Sequence, residues 1–165
     1  MMTYVIVPEP LTAEALAPFG DVLEATGPAD MLINEGMCER FHNRAMLDFG
    51  PGGRAGISIF NAKTRALPHR VNMVERHPDG SQAFIPLSPD PFLVVVAADQ
   101  GGAPGTPLAF ITTPGQAINL HRGIWHGVLC PLGPCGLFAV VDRIGETKNL
   151  QEHWFEDEFV VSSGQ

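Results

Sequence analysis

The chain has 165 residues, 45% of them apolar and 17% charged, which fits one folded domain of residues 1–165 and excludes a disordered polymer. No apolar run reaches the roughly 18 residues of a membrane helix, and the first ten residues lack the basic-then-apolar pattern of a secretory signal. A net charge of −8 with no basic stripe argues against nucleic acid as a partner, and three cysteines, Cys38, Cys130 and Cys135, fit reduced thiols in a cytoplasmic protein.

Eighteen glycines and 15 prolines are spread along the chain, so short strands joined by tight turns are expected throughout. A strand at 4–7 is followed by one short helix. Thr12 caps it, Ala13, Glu14, Ala15 and Leu16 propagate it, and Pro18 and Gly20 end it. Further strands are predicted at 39–45, 56–61, 71–76, 82–86, 92–97, 108–111, 117–120, 127–129 and 137–142. Turns fall at Pro78-Asp79-Gly80-Ser81, at Gly101 to Gly105 and at Thr113-Pro114-Gly115, and a weak helical turn is expected at 149–153. About ten short strands at this spacing predict a mainly all-β jelly-roll barrel with one short N-terminal helix. Such a barrel encloses a pocket, which is where chemistry is sought.

Two clusters carry that chemistry. Strand alternation puts Val71, Met73, Glu75 and His77 on one face, read as interior from its apolar members. A carboxylate and an imidazole two residues apart can then reach one ion or substrate, and Gln82 returns to the same wall across the Pro78–Ser81 turn. The second cluster is Asn119-Leu120-His121-Arg122-Gly123-Ile124-Trp125-His126. Five residues separate its imidazoles, so a bend at Arg122-Gly123 is needed before both can face inward. Trp125 is expected as an apolar wall and Arg122 as the cation for an anion. His42, His69 and His153 are read as structural, and Arg40, Arg44, Arg76 and Arg143 as solvated charges or ordinary ion pairs. Spacing alone gives a barrel with a Glu/His/Gln/His pocket.

Glu75-Arg76-His77-Pro78 followed by Gly80, Gln82, Ala83, Phe84, Ile85 and Pro86 resembles the signature of the ureidoglycolate lyase family. The 119–126 segment resembles its second signature and Val141-Asp142-Arg143 its third. Phe19-Gly20-Asp21-Val22, Ile33-Asn34 with Gly36, and Glu39-Arg40 with His42 match as well. The likeness covers roughly residues 3–145, and the tail beyond carries little signal. It implies a cupin-like double-stranded β-helix, commonly a homodimer, that splits ureidoglycolate into glyoxylate and urea during purine breakdown. The positions equivalent to the usual cupin metal ligands are Glu75, His77, Gln82 and His126, two of the four altered. The family's association with a divalent metal, nickel in particular, implies Glu75, His77 and His126 as ligands.

Eliminating urea requires a base for the hydroxyl proton and an acid for the leaving nitrogen. Glu75 or His77 is the expected base and His126 or His121 the expected acid. Arg122 would hold the carboxylate, Gln82 or Asn119 would orient the urea amide, and Trp125 would exclude water. Two rival readings are a hydrolase that releases ammonia and a non-catalytic cupin that binds a small carboxylic acid. A metal-dependent oxygenase or isomerase is disfavoured by the altered ligand set.

Overall fold

The structure is a computed structural model describing residues 1–164. The chain opens with β1 (Thr3–Ile6), β2 (Glu9–Pro10), α1 (Ala13–Leu16), β3 (Gly20–Leu23), β4 (Met31–Ile33) and β5 (Cys38–Arg40). The middle supplies β6 (Arg54–Asn61), β7 (His69–Arg76), β8 (Gln82–Pro86), β9 (Phe92–Ala97), β10 (Asp99–Gln100) and β11 (Ala103–Pro104). Then come β12 (Leu108–Ile111), β13 (Ala117–Leu120), β14 (Trp125–His126), β15 (Cys130–Pro131), β16 (Leu137–Ile144) and β17 (Gln151–Val161). The helix forms as its sequence predicts: the Thr12 hydroxyl accepts the Ala15 N–H at 3.1 Å, and Leu16 is buried beneath it.

Two curled sheets face each other in an all-β, cupin-like half-barrel. One runs β1-β17-β7-β14-β9-β12-β2, with β15 also on β9; the other runs β3-β13-β8-β16-β6. Alternation decides what lies between them. Val94 and Val96 join Phe84, Ile118, Leu120, Phe138 and Val140 in the inner core, while Leu93, Val95 and Ala97 join Trp125, Phe159 and Val161 on the outer face of the larger sheet. Strand β9 is therefore buried on both faces, which is why its sequence is a continuous apolar run rather than an alternating one.

Four predicted strands, β8, β9, β12 and β13, have the expected bounds, and the others differ for identifiable reasons. The strand expected at 39–45 stops at Arg40, because Asn43 turns with φ 51° and the Asp30 carboxylate captures the His42 N–H at 2.8 Å. The strand expected at 127–129 is replaced by two short bridges to β9, at Trp125–His126 and Cys130–Pro131. The helical turn expected at 149–153 is also overturned, since residues 151–161 form the longest strand, β17, lying between β1 and β7. A break in register between Trp154 and Phe159 hides its alternation in sequence. Nor is β7 regular: Val71 and Val74, three apart, both join the outer cluster, so Val71 does not mark the interior face.

Phe138 is fully enclosed and stacks edge-on with Phe92, ring centroids 5.1 Å apart, at the centre of the inner core. Phe138→Ala is expected to lower the unfolding free energy by about 3–5 kcal/mol in urea titrations, whereas exposed Trp154→Ala should change it by no more than about 0.5 kcal/mol.

Candidate active site

His126 is the pivot of the site. It pairs with Glu75 on β7 and with Val96 on β9, so all three side chains project to the same side of the sheet, the side of the inner core. The Phe84 ring of the opposite sheet stands edge-on to His126 with centroids 6.3 Å apart. His77 lies one residue beyond β7, its ring centroid 5.2 Å from that of His126. One ligand atom from each of Glu75, His77 and His126 then falls within 4.8 Å of the others, and His77 Nε2 is 3.9 Å from Glu75 Oε1.

Hydrogen bonding fixes the tautomer of both rings. His77 Nδ1 contacts the Asn149 carbonyl at 2.8 Å and His126 Nδ1 contacts the Gly127 carbonyl at 2.9 Å. A carbonyl only accepts, so each Nδ1 carries a proton, and in the neutral form each ring presents a lone pair on Nε2. Both Nε2 atoms are buried and have no partner. Two orphaned imidazole acceptors beside a carboxylate fit a divalent cation, and carbonyl bonds behind the rings are the usual support of metal-bound histidines.

Burial tunes the same groups. Desolvation, assisted by His77, pushes the His126 pKa down to about 4, so this ring is neutral at physiological pH. Desolvation also raises Glu75 above the usual carboxylate range, opposed by His77 and reinforced by Glu152, its cross-strand neighbour on β17.

The remaining predicted residues divide. Gln82 is 6% exposed and shares the inner face with Phe84, at the end of β8 that follows the His77–Ser81 turn. Its Nε2 donates to Asp142 Oδ2 at 3.1 Å, and its Oε1 is buried without a partner. The expected bend is present: Gly123 has φ 78° and its N–H reaches the His77 carbonyl at 2.9 Å. Yet the bend does not bring His121 to the cluster. His121 Nε2 lies 3.0 Å from Asp21 Oδ2, and Asn119, on the face of β13 opposite Ile118 and Leu120, donates to the same oxygen at 3.0 Å. Trp125 neighbours His126 and so points to the opposite face, where its indole N–H bonds Asp99 and Arg76 stacks 4.3 Å above it. Arg122, 40% exposed, donates to the Pro78 carbonyl at 2.6 Å, with Asp48 and Asp79 each 3.9 Å away.

Two acidic residues went unassigned by sequence reasoning. Asp142 shares the inner face of β16 with Phe138 and Val140, a placement that alternation could have given. Asp21 collects Asn119, His121 and the Met46 N–H. Burial alone would raise its pKa, but these hydrogen bonds together hold it below the ordinary value. No local pattern reveals that partnership, whose members lie 25 to 100 residues apart.

The profile of the ureidoglycolate lyase family matches residues 3–162. Among similar proteins, a ureidoglycolate lyase of Rhodobacter capsulatus is 59% identical over 145 residues, 88% of this chain and 90% of that protein. A ureidoglycolate lyase of Mesorhizobium japonicum is 51% identical over 94% of this chain and 96% of its own length. One of Chelativorans is 49% identical over 94% and 95%.

The depressed His126 pKa has a definite sign. Between pH 6.5 and about 4 the unfolded ring binds a proton that the folded ring refuses, so this contribution to stability is complete above pH 6.5 and is lost as pH falls through that window. Glu75 works in the opposite direction, so the readout must be specific to the ring. Nitrogen-15 NMR of metal-free protein is expected to show His126 as the neutral Nδ1–H tautomer at pH 5.5; a midpoint near 6.5 would contradict the burial argument.

Proposed function

The chain belongs to the ureidoglycolate lyase family, and on that premise we propose that the inner face around Glu75, His77 and His126 releases urea from ureidoglycolate and leaves glyoxylate. The observation that carries this reading is the convergence of two unpartnered Nε2 lone pairs and a carboxylate on one point between the sheets. Ureidoglycolate bears a carboxylate, a hydroxyl and a ureido nitrogen on one carbon. Forming the carbonyl requires the hydroxyl proton to leave and the ureido nitrogen to gain one, with no water consumed.

Glu75, His77 and His126 would hold a divalent ion, nickel by family resemblance, whose positive charge would make the substrate hydroxyl more acidic. The protein's own groups supply the rest. Gln82 Oε1 accepts from an N–H of the ureido group. Phe84, Ile118 and Leu120 beside His126 keep the wall dry. Arg122, on the turn whose Gly123 N–H grips the His77 carbonyl, offers its guanidinium to the substrate carboxylate.

The raised pKa of Glu75 favours a second reading, in which the three groups act directly on protons. His77 Nε2, an acceptor toward the site, takes the hydroxyl proton, and the carboxyl of Glu75 returns one to the leaving nitrogen. His126, neutral, then orients the substrate rather than serving as the acid. His121, held on Asp21, is assigned to support of the fold. The family resemblance further implies a homodimer, and three unpaired cysteines agree with work in the cytoplasm.

Product analysis of chelator-treated protein with fresh ureidoglycolate, against an enzyme-free control, tests the reaction. Equal amounts of glyoxylate and urea are expected; ammonia in place of urea would establish the hydrolytic alternative, and no acceleration with any divalent ion would leave a binding protein. Activity that returns only with an added ion assigns the three side chains as its ligands, whereas full activity without one assigns them to proton transfer. His77→Ala should reduce kcat at least about a hundredfold under either assignment, measured by urea release at saturating substrate, and His126→Ala should do so where the ring is a metal ligand.

A further inference from the structure

Gln82 is the predicted amide that stays on the inner face once Asn119 has turned to Asp21. Its side chain ends in a donor and an acceptor of nearly identical shape, so which end meets the substrate depends on what holds the other. Strand pairing supplies the holder. Gln82 on β8 stands directly opposite Asp142 on β16, and both share the inner face with Phe84, Phe138 and Val140. A carboxylate only accepts, so the amide nitrogen must turn to Asp142, which it does at 3.1 Å. The carbonyl end, Oε1, is thereby left buried with no donor. An unsatisfied buried acceptor is costly, and the cost is recovered when a bound molecule brings an N–H to it.

We propose that Asp142 is a positioning residue: it fixes the Gln82 amide so that the site presents an acceptor, and it thereby selects a substrate bearing an N–H donor and sets which end of that substrate lies against β8 and β16. This rests on the lyase reading. Ureidoglycolate has N–H groups at one end and a carboxylate at the other. The wall formed by Gln82 Oε1 and Asp142 attracts the first and repels the second, so the ureido end lies against it and the carboxylate lies away from it. Asp142 need not touch the substrate. Were the carboxylate absent, the amide could rotate and offer its donor end, to which a carboxylate could bind in the reverse sense.

The test compares a ligand that has the ureido group with one that lacks it. Asp142→Ala is expected to raise KM for ureidoglycolate roughly three- to tenfold, about the worth of one neutral hydrogen bond, while inhibition by glyoxylate, which has no N–H, is unchanged or strengthened. Gln82→Met, which removes the acceptor, should produce a similar rise, and Asp142→Ala should add nothing in the Gln82→Met background. An unchanged KM, an equal weakening toward both ligands, or full additivity would overturn the proposal. Should Asp142→Ala fail to fold, Asp142→Asn takes its place. Two near-equivalent amide orientations should then raise KM by about twofold, and an unaltered KM counts against the proposal. Independently of turnover, the Gln82 side-chain amide protons should be protected from solvent exchange in the unaltered protein and lose that protection when Asp142 is replaced. A wild-type protein that makes no urea would remove the lyase reading, whereas equal protection in both proteins would remove the role of Asp142.

Discussion

Two imidazole rings can stand between apolar sheets only if their polar atoms are answered, and each is answered on one side by a main-chain carbonyl. That single-sided satisfaction is the constraint on which the rest of the site depends. It fixes their tautomers and leaves two Nε2 atoms directed at the same place as the Glu75 carboxylate. A ring bonded on both nitrogens would be inert, and a ring bonded on neither would be free to flip. The depressed pKa of His126 comes from its burial and from neighbouring His77, while the bond to the Gly127 carbonyl pulls it partly back up.

The carbonyl that holds His77 belongs to Asn149, and this links the site to segments far from it. The Asn149 side chain also accepts the Asp79 N–H at 2.7 Å, and the Thr147 hydroxyl donates to Asp79 at 2.8 Å. On the other flank the Ser81 N–H bonds the Asp48 carbonyl at 2.7 Å, and the Ser81 hydroxyl accepts the Asp48 N–H at 2.8 Å. The turn between His77 and Gln82 is therefore clamped from both sides. Arg143 extends the clamp by donating to the carbonyls of Phe49 and Pro51. Further along that irregular segment, Asp21 and Asn119 fasten Met46. Conserving the geometry of three side chains thus takes hydrogen bonds from two otherwise unrelated stretches of chain, each worth on the order of 1 kcal/mol.

Much of this was legible in the sequence where the information is local. The continuous apolar run of β9, the bounds of β8 and β13 and the Thr12 cap each follow from the residues concerned, and the structure agrees. Strand spacing gave Glu75, His77, Gln82 and His126 as pocket residues and the family resemblance gave Glu75, His77 and His126 as one set, although Val71, which chose the interior face, lies on the outer cluster. What sequence could not give is partnership at long range. Asn119 and His121 sit in a motif beside His126, yet Asp21, about 100 residues earlier, draws both to the other side of their sheet. Trp125 shows the same limit at short range, since neighbours on a strand cannot share a face, and Asp99 with Arg76 gives the indole a polar partner outside. The tail reads as featureless because its acidic residues and its register break mask an eleven-residue strand, and that strand places Glu152 against Glu75.

The glutamine at position 82, which the family resemblance aligns with a cupin's carboxylate ligand, also has a local physical reason. Asp142 lies directly across the strand pair, and a glutamate at 82 would set two carboxylates about a hydrogen bond apart on a buried face. Like charges at that distance force one group to keep its proton or the pair to separate. A neutral amide removes the conflict and converts Asp142 from a repelling neighbour into an anchor. The ionisable carboxylate nearest the two histidines is then Glu75 alone, and its raised pKa reflects the burial it shares with them. Replacing one carboxylate by its amide thus lowers the negative charge of the inner site while keeping the shape of its wall, which suits an anionic substrate.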